Sequence, residues 1–93
     1  MAEVTAGTTR LIEIGVRYFA AARAAAGSDC EELTVRDGLT VSDLVDELSS
    51  RSPELGRVLL RCSYLCDGVA VRDETSALRP GNTIDVLPPF AGG

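Results

Sequence analysis

The sequence predicts an α+β fold in which a mixed sheet carries one main helix on one face. Several short segments alternate apolar and polar side chains, as strands do, and one segment repeats apolar residues at helical spacing. Strands precede and follow this helix, an order that is typical of an α+β sheet protein. The chain has 93 residues, of which 45% are hydrophobic and 25% are charged, and this composition predicts a single folded domain.

The first strand is predicted at residues 10–19, where apolar and polar side chains alternate with a period of two. Residues 20–26 are nearly all alanine and stop at Gly27, which predicts a short helix with a glycine cap. A second strand with the same alternation is predicted at residues 31–36. The side chains of the first strand that we expect to point inward are those of Ile12, Ile14, Val16 and Tyr18.

The main helix is predicted at residues 41–50. Thr40 has the character of an N-cap, and Asp43 follows it near the positive end of the helix dipole. Pro53 then opens a shorter predicted helix that runs through Leu60. The apolar stripe of the main helix consists of Val41, Leu44, Val45 and Leu48.

Two turn signals define the last part of the sheet. The dipeptide Asp67-Gly68 is a favoured hairpin turn between strands predicted at residues 62–66 and 69–72. A Pro-Gly turn at residues 79–82 precedes the final strand, residues 83–87. An opening hairpin, one main helix and a final strand returning beside the first make the β-grasp arrangement, with the first and last strands parallel at the sheet centre.

The chain is expected to divide into three parts. Residues 1–9 are small and polar and predict a mobile leader, residues 10–87 form the folded domain, and residues 88–93 form a flexible tail. No apolar run is long enough to span a membrane, and the leader lacks the features of a secretion signal, so we expect a cytoplasmic protein.

The charged residues exclude several classes of function. A net charge of −5 does not fit a nucleic-acid-binding surface, which needs a basic patch. All nine cationic residues are arginines, so a catalytic lysine is excluded, and the chain has no histidine to shuttle protons or to bind a metal. We therefore expect a protein that binds no metal or cofactor of its own and does not catalyse alone.

The three cysteines do not indicate a metal site. Cys30, Cys62 and Cys66 are odd in number and have no C-x-x-C spacing, so a zinc site or a disulfide framework is not expected. Free cysteines commonly behave as small buried hydrophobic residues, and this is the role that we expect for them.

The end of the chain is its most informative segment. Pro88-Pro89 is stiff and offers no backbone N–H, so it should leave the last strand without joining a ladder. Gly92 and Gly93 have no Cβ and can pass through a narrow channel in another protein. Six residues from Pro88 onward reach at most about 20 Å. The terminal carboxylate of Gly93 is therefore a candidate reactive group.

Phe19 and Leu87 break the alternation of their strands. Each is a large apolar residue at an outward position, and parallel neighbouring strands would bring both to the end where the tail leaves. An exposed apolar pair beside a tail indicates a docking surface. Alternatively, a residue at a strand end can twist inward or pack beneath the alanine-rich helix, and single exposed apolar residues are common.

The ending Leu-Pro-Pro-Phe-Ala-Gly-Gly, on a chain of this length and element order, resembles the small subunit of molybdopterin synthase. This family consists of ubiquitin-like sulfur carriers with the β-grasp fold. The resemblance also includes the opening strand at residues 16–20, the alanine-rich helix and the Asp67-Gly68 hairpin, and it extends from about Ile12 to Gly93. Phe90 stands where an aliphatic residue is common in the family.

The resemblance implies a cycle at Gly93. A ubiquitin-activating-type adenylyltransferase uses ATP to adenylate the carboxylate, and sulfur delivery converts the acyl-adenylate to a thiocarboxylate. The tail then enters the large subunit of molybdopterin synthase and donates sulfur to a cyclic pyranopterin monophosphate, so the carrier itself is not the catalyst. The residues that the family likeness assigns to docking and tail insertion are Phe19, Leu87, Pro88, Pro89, Phe90, Ala91 and Gly92.

Two other functions remain open on the sequence. The chain could carry sulfur for thiamin or cysteine biosynthesis, since those carriers also end in Gly-Gly. It could also be a protein modifier whose terminal glycine becomes amide-linked to lysines of target proteins.

Overall fold

The structure is a computed structural model that describes residues 10–89. The predicted leader, residues 1–9, and the tail residues 90–93 lie outside the described residues. Five strands and three helices follow one another along the described chain: β1 (Leu11–Tyr18), α1 (Ala20–Ala26), β2 (Cys30–Arg36), α2 (Val41–Ser49), α3 (Pro53–Leu59), β3 (Ser63–Cys66), β4 (Val69–Ala70) and β5 (Thr83–Leu87).

The five strands form one mixed sheet in the order β2-β1-β5-β3-β4. Strands β1 and β5 are parallel neighbours near the centre of the sheet, whereas β1 pairs with β2, and β3 with both β5 and β4, in antiparallel fashion. This confirms the predicted α+β fold class and its β-grasp arrangement. The parallel pair also brings the end of β1 beside the start of the tail, because Tyr18 is paired with Val86.

Capping groups mark the starts of α2 and α3 and the end of α1. The Thr40 hydroxyl accepts a hydrogen bond from the Asp43 amide, and the Asp43 carboxylate accepts one from the Thr40 amide, which completes a capping box. At the end of α1, Gly27 adopts a left-handed φ of 78° and donates its N–H to the Arg23 carbonyl. The Ser52 hydroxyl caps α3 by accepting from the Leu55 amide.

The core lies between the inner sheet face and the helices. All four side chains that alternation predicted to point inward from β1 are buried, and the apolar stripe of α2 packs against them. Leu39 and Leu78 are also buried, although both lie in connecting segments where no periodicity identifies them. The Leu78 amide donates to the Leu39 carbonyl, which fixes the long connection before β5 against the start of α2.

The predicted boundaries need only small corrections. The first strand is one residue shorter at each end, the second begins at Cys30, and each of the two later helices ends one residue earlier. The largest difference is in β4, which was predicted at residues 69–72 and forms only Val69–Ala70. Of the described helices, none has both the length and the apolar character that crossing a membrane requires.

Candidate functional site

The tail begins where β5 ends, at one end of the sheet. Pro88, which follows Leu87 directly, is buried, and Pro89 is exposed. The stiff Pro-Pro segment is thus fixed to the domain at its first residue, and the direction in which the chain leaves is set by Pro88. The predicted site residues Phe90, Ala91, Gly92 and Gly93 lie outside the described residues.

Phe19 lies at the same end of the sheet as the start of the tail. Its amide donates a hydrogen bond to the Val86 carbonyl at 3.2 Å, which places Phe19 beside the last residues of β5. The Phe19 side chain is 38% exposed, and Leu87 is half-buried. The structure therefore brings together Phe19, Leu87 and the tail root, and it keeps the Phe19 ring accessible rather than packed into the core.

The chain turns sharply immediately after Phe19. Ala20, the first residue of α1, has a φ of 51°, a left-handed conformation that few residues with a side chain adopt. The N-cap position of α1 is Phe19 itself, and no side chain caps the helix there. The backbone thus accepts some strain at the corner that directs Phe19 away from the core.

An ion pair lies beside Phe19 on the outer sheet face. Arg17 and Asp85 face each other across β1 and β5, and the guanidinium donates from Nε at 2.7 Å and from Nη2 at 2.9 Å to the two carboxylate oxygens. The hydrogen bonds to Asp85 raise the pKa of Arg17 above its usual value. The guanidinium carbon also lies 5.8 Å from the centre of the Phe19 ring, within cation–π range.

Asp85 lies on the outer sheet face, yet it is 5% exposed and is the one charged residue that is buried in the described part of the chain. The alternation in β5 indicates an outward position for Asp85 but gives no sign of its burial. Burial here depends on the long Arg17 side chain, which comes from a strand 68 residues earlier. One feature of the sequence could have revealed the ion pair. Arg17 and Asp85 occupy outward positions two residues before Phe19 and Leu87, and the predicted parallel pairing of the two strands places Arg17 beside Asp85.

The outer face continues from the ion pair toward the other edge of the sheet. Leu65 on β3 is paired with Asp85, and Ala70 on β4 is paired with Leu65. Leu65 is half-buried and Ala70 is exposed. These two residues, which the sequence did not single out, extend the apolar surface of Phe19 and Leu87 across the sheet.

A groove of about 500 Å³ lies on the other side of the tail root. Pro88 and Pro89 form one of its walls, and residues from the start of α1 and the end of α3 form the others. The surface of the groove is mostly apolar, and Leu60, one of the residues that line it, is 85% exposed. The remaining lining residues are Ala21, Arg57, Val58, Leu60 and Arg61.

The cysteines lack the surroundings of a reactive thiol. Burial raises the pKa of the Cys62 and Cys66 thiols, which keeps them protonated at neutral pH. The expectation that all three would be buried is wrong for Cys30, which is exposed at the edge strand, and the other two are half-buried. Across residues 10–89, no cluster of His, Cys, Asp and Glu side chains could hold a metal ion.

The described part of the site consists of two largely apolar surfaces, one on each side of the tail root. An apolar sheet face with an embedded ion pair lies on one side of the tail root, and an apolar groove lies on the other. Such an arrangement can seat another protein around the tail and present the tail to it.

Known proteins are similar to this chain in sequence and in fold. A model of the ThiS family matches residues 16–93. The molybdopterin synthase sulfur carrier subunit of Chlamydomonas reinhardtii is 30% identical over 83 residues, which cover 88% of this chain and 100% of the relative.

Two solved structures from archaea extend the likeness to three dimensions. A Pyrococcus furiosus protein described as molybdopterin converting factor, subunit 1, is 26% identical, with a TM-score of 0.76 over 85% of this chain and 99% of that one. SAMP1, a small archaeal modifier protein from Haloferax volcanii, is 27% identical, with a TM-score of 0.74 over 87% of this chain and 99% of that one. The chain therefore belongs to the ThiS family, with the ubiquitin-like β-grasp fold and with molybdopterin synthase sulfur carrier subunits among its relatives.

Proposed function

We propose that the protein is the sulfur carrier subunit of a molybdopterin synthase. Gly93 bears the transferred sulfur, and the chain donates it to a cyclic pyranopterin monophosphate in the active site of the large subunit. The observation that carries the proposal is the position of Phe19 and Leu87 at the root of the tail. A partner that covers these two side chains is also the protein that the tail reaches.

The chemistry at Gly93 requires activation before sulfur can be attached. A carboxylate has no good leaving group, so sulfide cannot displace its oxygen directly. A carboxylate oxygen first attacks the α-phosphorus of ATP and releases pyrophosphate. The sulfur nucleophile then displaces AMP from the acyl-adenylate, and the product is a thiocarboxylate.

The nucleotide belongs to the activating partner in this proposal. That partner is a ubiquitin-activating-type adenylyltransferase, and the carrier contributes the carboxylate and the surface that the enzyme recognises. The carrier binds no cofactor and has no active site of its own, which is consistent with the lack of histidine and lysine in the chain. The exchange takes place in the cytoplasm, and neither nucleic acid nor a membrane takes part.

Docking on the large subunit uses the outer sheet face. Phe19 and Leu87 lose their remaining contact with water, while Pro88 and Pro89 direct the following residues into the partner. Phe90 and Ala91 line the entrance, and Gly92 and Gly93 pass through the narrowest part because they carry no side chain. The large subunit supplies every group that acts on the pterin.

A second candidate function is protein modification. The likeness to SAMP1, a modifier protein, favours it, because the same activated glycine can form an amide bond with a lysine of a target protein. Sulfur transfer for thiamin or cysteine biosynthesis uses the same activated carboxylate and is a further alternative. The three functions share the activation step and differ in the acceptor.

Reconstitution distinguishes the acceptors. The chain is incubated with the activating enzyme, ATP and a sulfur source, and then with the large subunit and the cyclic pterin. We expect sulfur to appear in the pterin and the carboxylate of Gly93 to be regenerated. A charged chain that leaves the pterin unchanged, but forms lysine adducts or supplies a thiazole or cysteine pathway, would contradict the proposal and support the corresponding alternative.

A further inference from the structure

The Arg17–Asp85 ion pair lies within the apolar face that the proposed function assigns to docking. Asp85 is covered by Arg17 on one side and borders Leu65 on the other, whereas the Arg17 side chain is 57% exposed. The Asp85 carboxylate is therefore buried, whereas the Arg17 guanidinium is open to solvent on the outer face. A partner that covers Phe19 would lie against this guanidinium. A shallow depression beside it is lined by both residues and by Asp67, Gly68 and Thr83.

The pair is not needed to complete the sheet. Backbone hydrogen bonds and the apolar inner face hold β1 and β5 together, and replacement of an ion pair by apolar side chains of similar volume is often neutral or stabilising. An apolar pair at these two positions would also make the outer face more uniformly apolar. The structural contribution of the ion pair is therefore small, and its main consequence falls on the surface that it leaves exposed.

Within residues 10–89, only part of the Arg17 guanidinium is hydrogen-bonded. Nε and Nη2 donate to Asp85, and Nη1 donates no hydrogen bond to any of the described residues. The bidentate contact fixes the plane of the guanidinium, and the Phe19 ring lies beside it. Its remaining N–H groups therefore point in a fixed direction, next to the residue proposed to anchor the partner.

A partner that covers Phe19 must also remove water from Arg17. An N–H of a charged group that loses water without gaining a new acceptor weakens binding strongly. A wholly apolar partner surface is therefore rejected at this point, and a surface with one correctly placed oxygen is accepted.

We propose that the Arg17–Asp85 pair determines the specificity of the docking face. Asp85 orients Arg17, and Arg17 donates to an acceptor on the large subunit, either a carboxylate or a main-chain carbonyl oxygen. The inference rests on the proposed function, since it names the chemistry of the large subunit at one point of the same interface.

The test compares the wild-type chain with an apolar double variant that carries both Arg17→Leu and Asp85→Ala. Affinity for the large subunit is measured by calorimetry, and thermal unfolding is followed for each protein. Arg17→Lys, which keeps the charge and loses the bidentate geometry, is a second variant. Arg72→Leu is the matched control, because Arg72 is an exposed arginine on the chain that follows β4.

We expect the double variant to remain as thermostable as the wild type and to bind the large subunit about 10- to 100-fold more weakly. Arg17→Lys should give a smaller loss, and Arg72→Leu none. If the acceptor is a carboxylate, added salt will reduce the difference between wild type and double variant, whereas a carbonyl acceptor will leave the difference nearly unchanged.

If the ion pair had only a structural role, its removal would not weaken binding to the large subunit. The more apolar face of the double variant would then bind as tightly as the wild type or more tightly, and either outcome would overturn the inference alone. If the double variant unfolds, the Arg17→Lys variant provides the test, and normal binding of that variant to the large subunit would overturn the inference. If the wild-type chain itself fails to bind the large subunit, the proposed function is wrong and the inference is overturned with it.

Discussion

At the scale of single residues, the main feature is the large, partly exposed side chain of Phe19, at the point where β1 ends and α1 begins. Phe19 follows Tyr18 at an outward position in the alternation of β1, so its ring lies on the outer face, and Ala20 after it adopts a left-handed conformation. Leu87 stands at the equivalent position of β5 and leads directly into Pro88. Two strand ends and the tail root thus form one surface.

Phe19→Asp and Leu87→Asp should each weaken the complex with the large subunit by about 100-fold or more, because each change places a charge in the desolvated centre of an interface. The isolated domain should stay folded, since neither residue belongs to the fully buried core. Titration of each variant with the large subunit, together with a thermal unfolding curve, measures both effects.

Leu11→Asp is the matched control for this pair. Leu11 is the first residue of β1, at the opposite end of that strand from Phe19, and it occupies an outward position at which it is 65% exposed. The control should bind normally. The docking surface would be wrongly placed if both test variants bound as the wild type does, or if they unfolded the domain.

At the scale of secondary structure elements, local chemistry predicted most of the fold. The capping box at Thr40, the glycine cap at Gly27 and the Asp67-Gly68 turn are short-range signals, and all three occur where the sequence placed them. Asp67 and Gly68 have φ values of 50° and 84°, the backbone that such a hairpin turn needs. Local signals therefore gave element boundaries to within one residue at most ends.

The features that the sequence missed depend on contacts between distant segments. Burial of Asp85 needs Arg17, and burial of Leu39 and Leu78 needs the connection before β5 to fold against the start of α2. No periodicity in a single segment carries this information. The proposed docking face shows the same dependence on distant contacts. The outward positions of Phe19 and Leu87 could be read from their own strands, but the ion pair between those strands could not.

One polar contact joins three elements at the edge of the sheet. The Tyr18 hydroxyl on β1 and the Arg51 guanidinium after α2 each donate at 2.7 Å to the same Glu31 carboxylate oxygen on β2. Burial raises the pKa of Glu31, but the hydrogen bonds from Arg51 and Tyr18 outweigh it, and the net effect lowers the pKa below its usual value. The ionised form of Glu31 is therefore the one that the fold prefers.

Glu31→Gln should lower the free energy of unfolding at neutral pH by about 1 kcal/mol, since two hydrogen bonds to a charged oxygen become bonds to a neutral amide, partly screened by solvent. A carboxylate with a lowered folded pKa contributes stability above its unfolded pKa and loses it as the pH falls through the folded value. The variant should therefore lose less stability than the wild type between about pH 5 and pH 3.

Urea titrations at several pH values measure this difference. Glu32→Gln is the control, because Glu32 is the neighbouring residue, is exposed and faces the other side of the sheet. If the Glu31 and Glu32 variants had the same stability and the same acid dependence, the contact would have no measurable role in joining the three elements.

At the scale of the whole molecule, the proposed function makes the fold a support for a short reactive segment. The sheet fixes Leu87 and Pro88, the outer face and the groove offer surfaces on both sides of the tail root, and the described domain contains no group suited to the chemistry itself. The family model matches the chain through residue 93, so the Gly-Gly end is part of the family likeness. In the proposed function, partners therefore recognise the domain, and the reaction takes place at Gly93.

The central claim is that the carboxylate of Gly93 accepts sulfur. Deleting Gly93 moves the reactive carbon by about 3.5 Å, farther than a positioned active site tolerates, and adding one residue displaces it in the other direction. Gly92→Val should be nearly as harmful, because a β-branched side chain cannot enter a passage as narrow as the backbone. These positions follow the folded domain that the sequence predicts at residues 10–87, so we expect thermal stability to stay close to that of the wild type.

The most direct measurement is the intact mass of the chain after incubation with the activating enzyme, ATP and a sulfur source. The wild type should gain the mass difference between one sulfur and one oxygen, and tandem mass spectrometry should place the change at Gly93. The Gly93 deletion and the chain extended by one residue, both folded, should show no gain. Normal sulfuration of either altered chain, or sulfur located on Cys30, Cys62 or Cys66 instead of Gly93, would contradict the account.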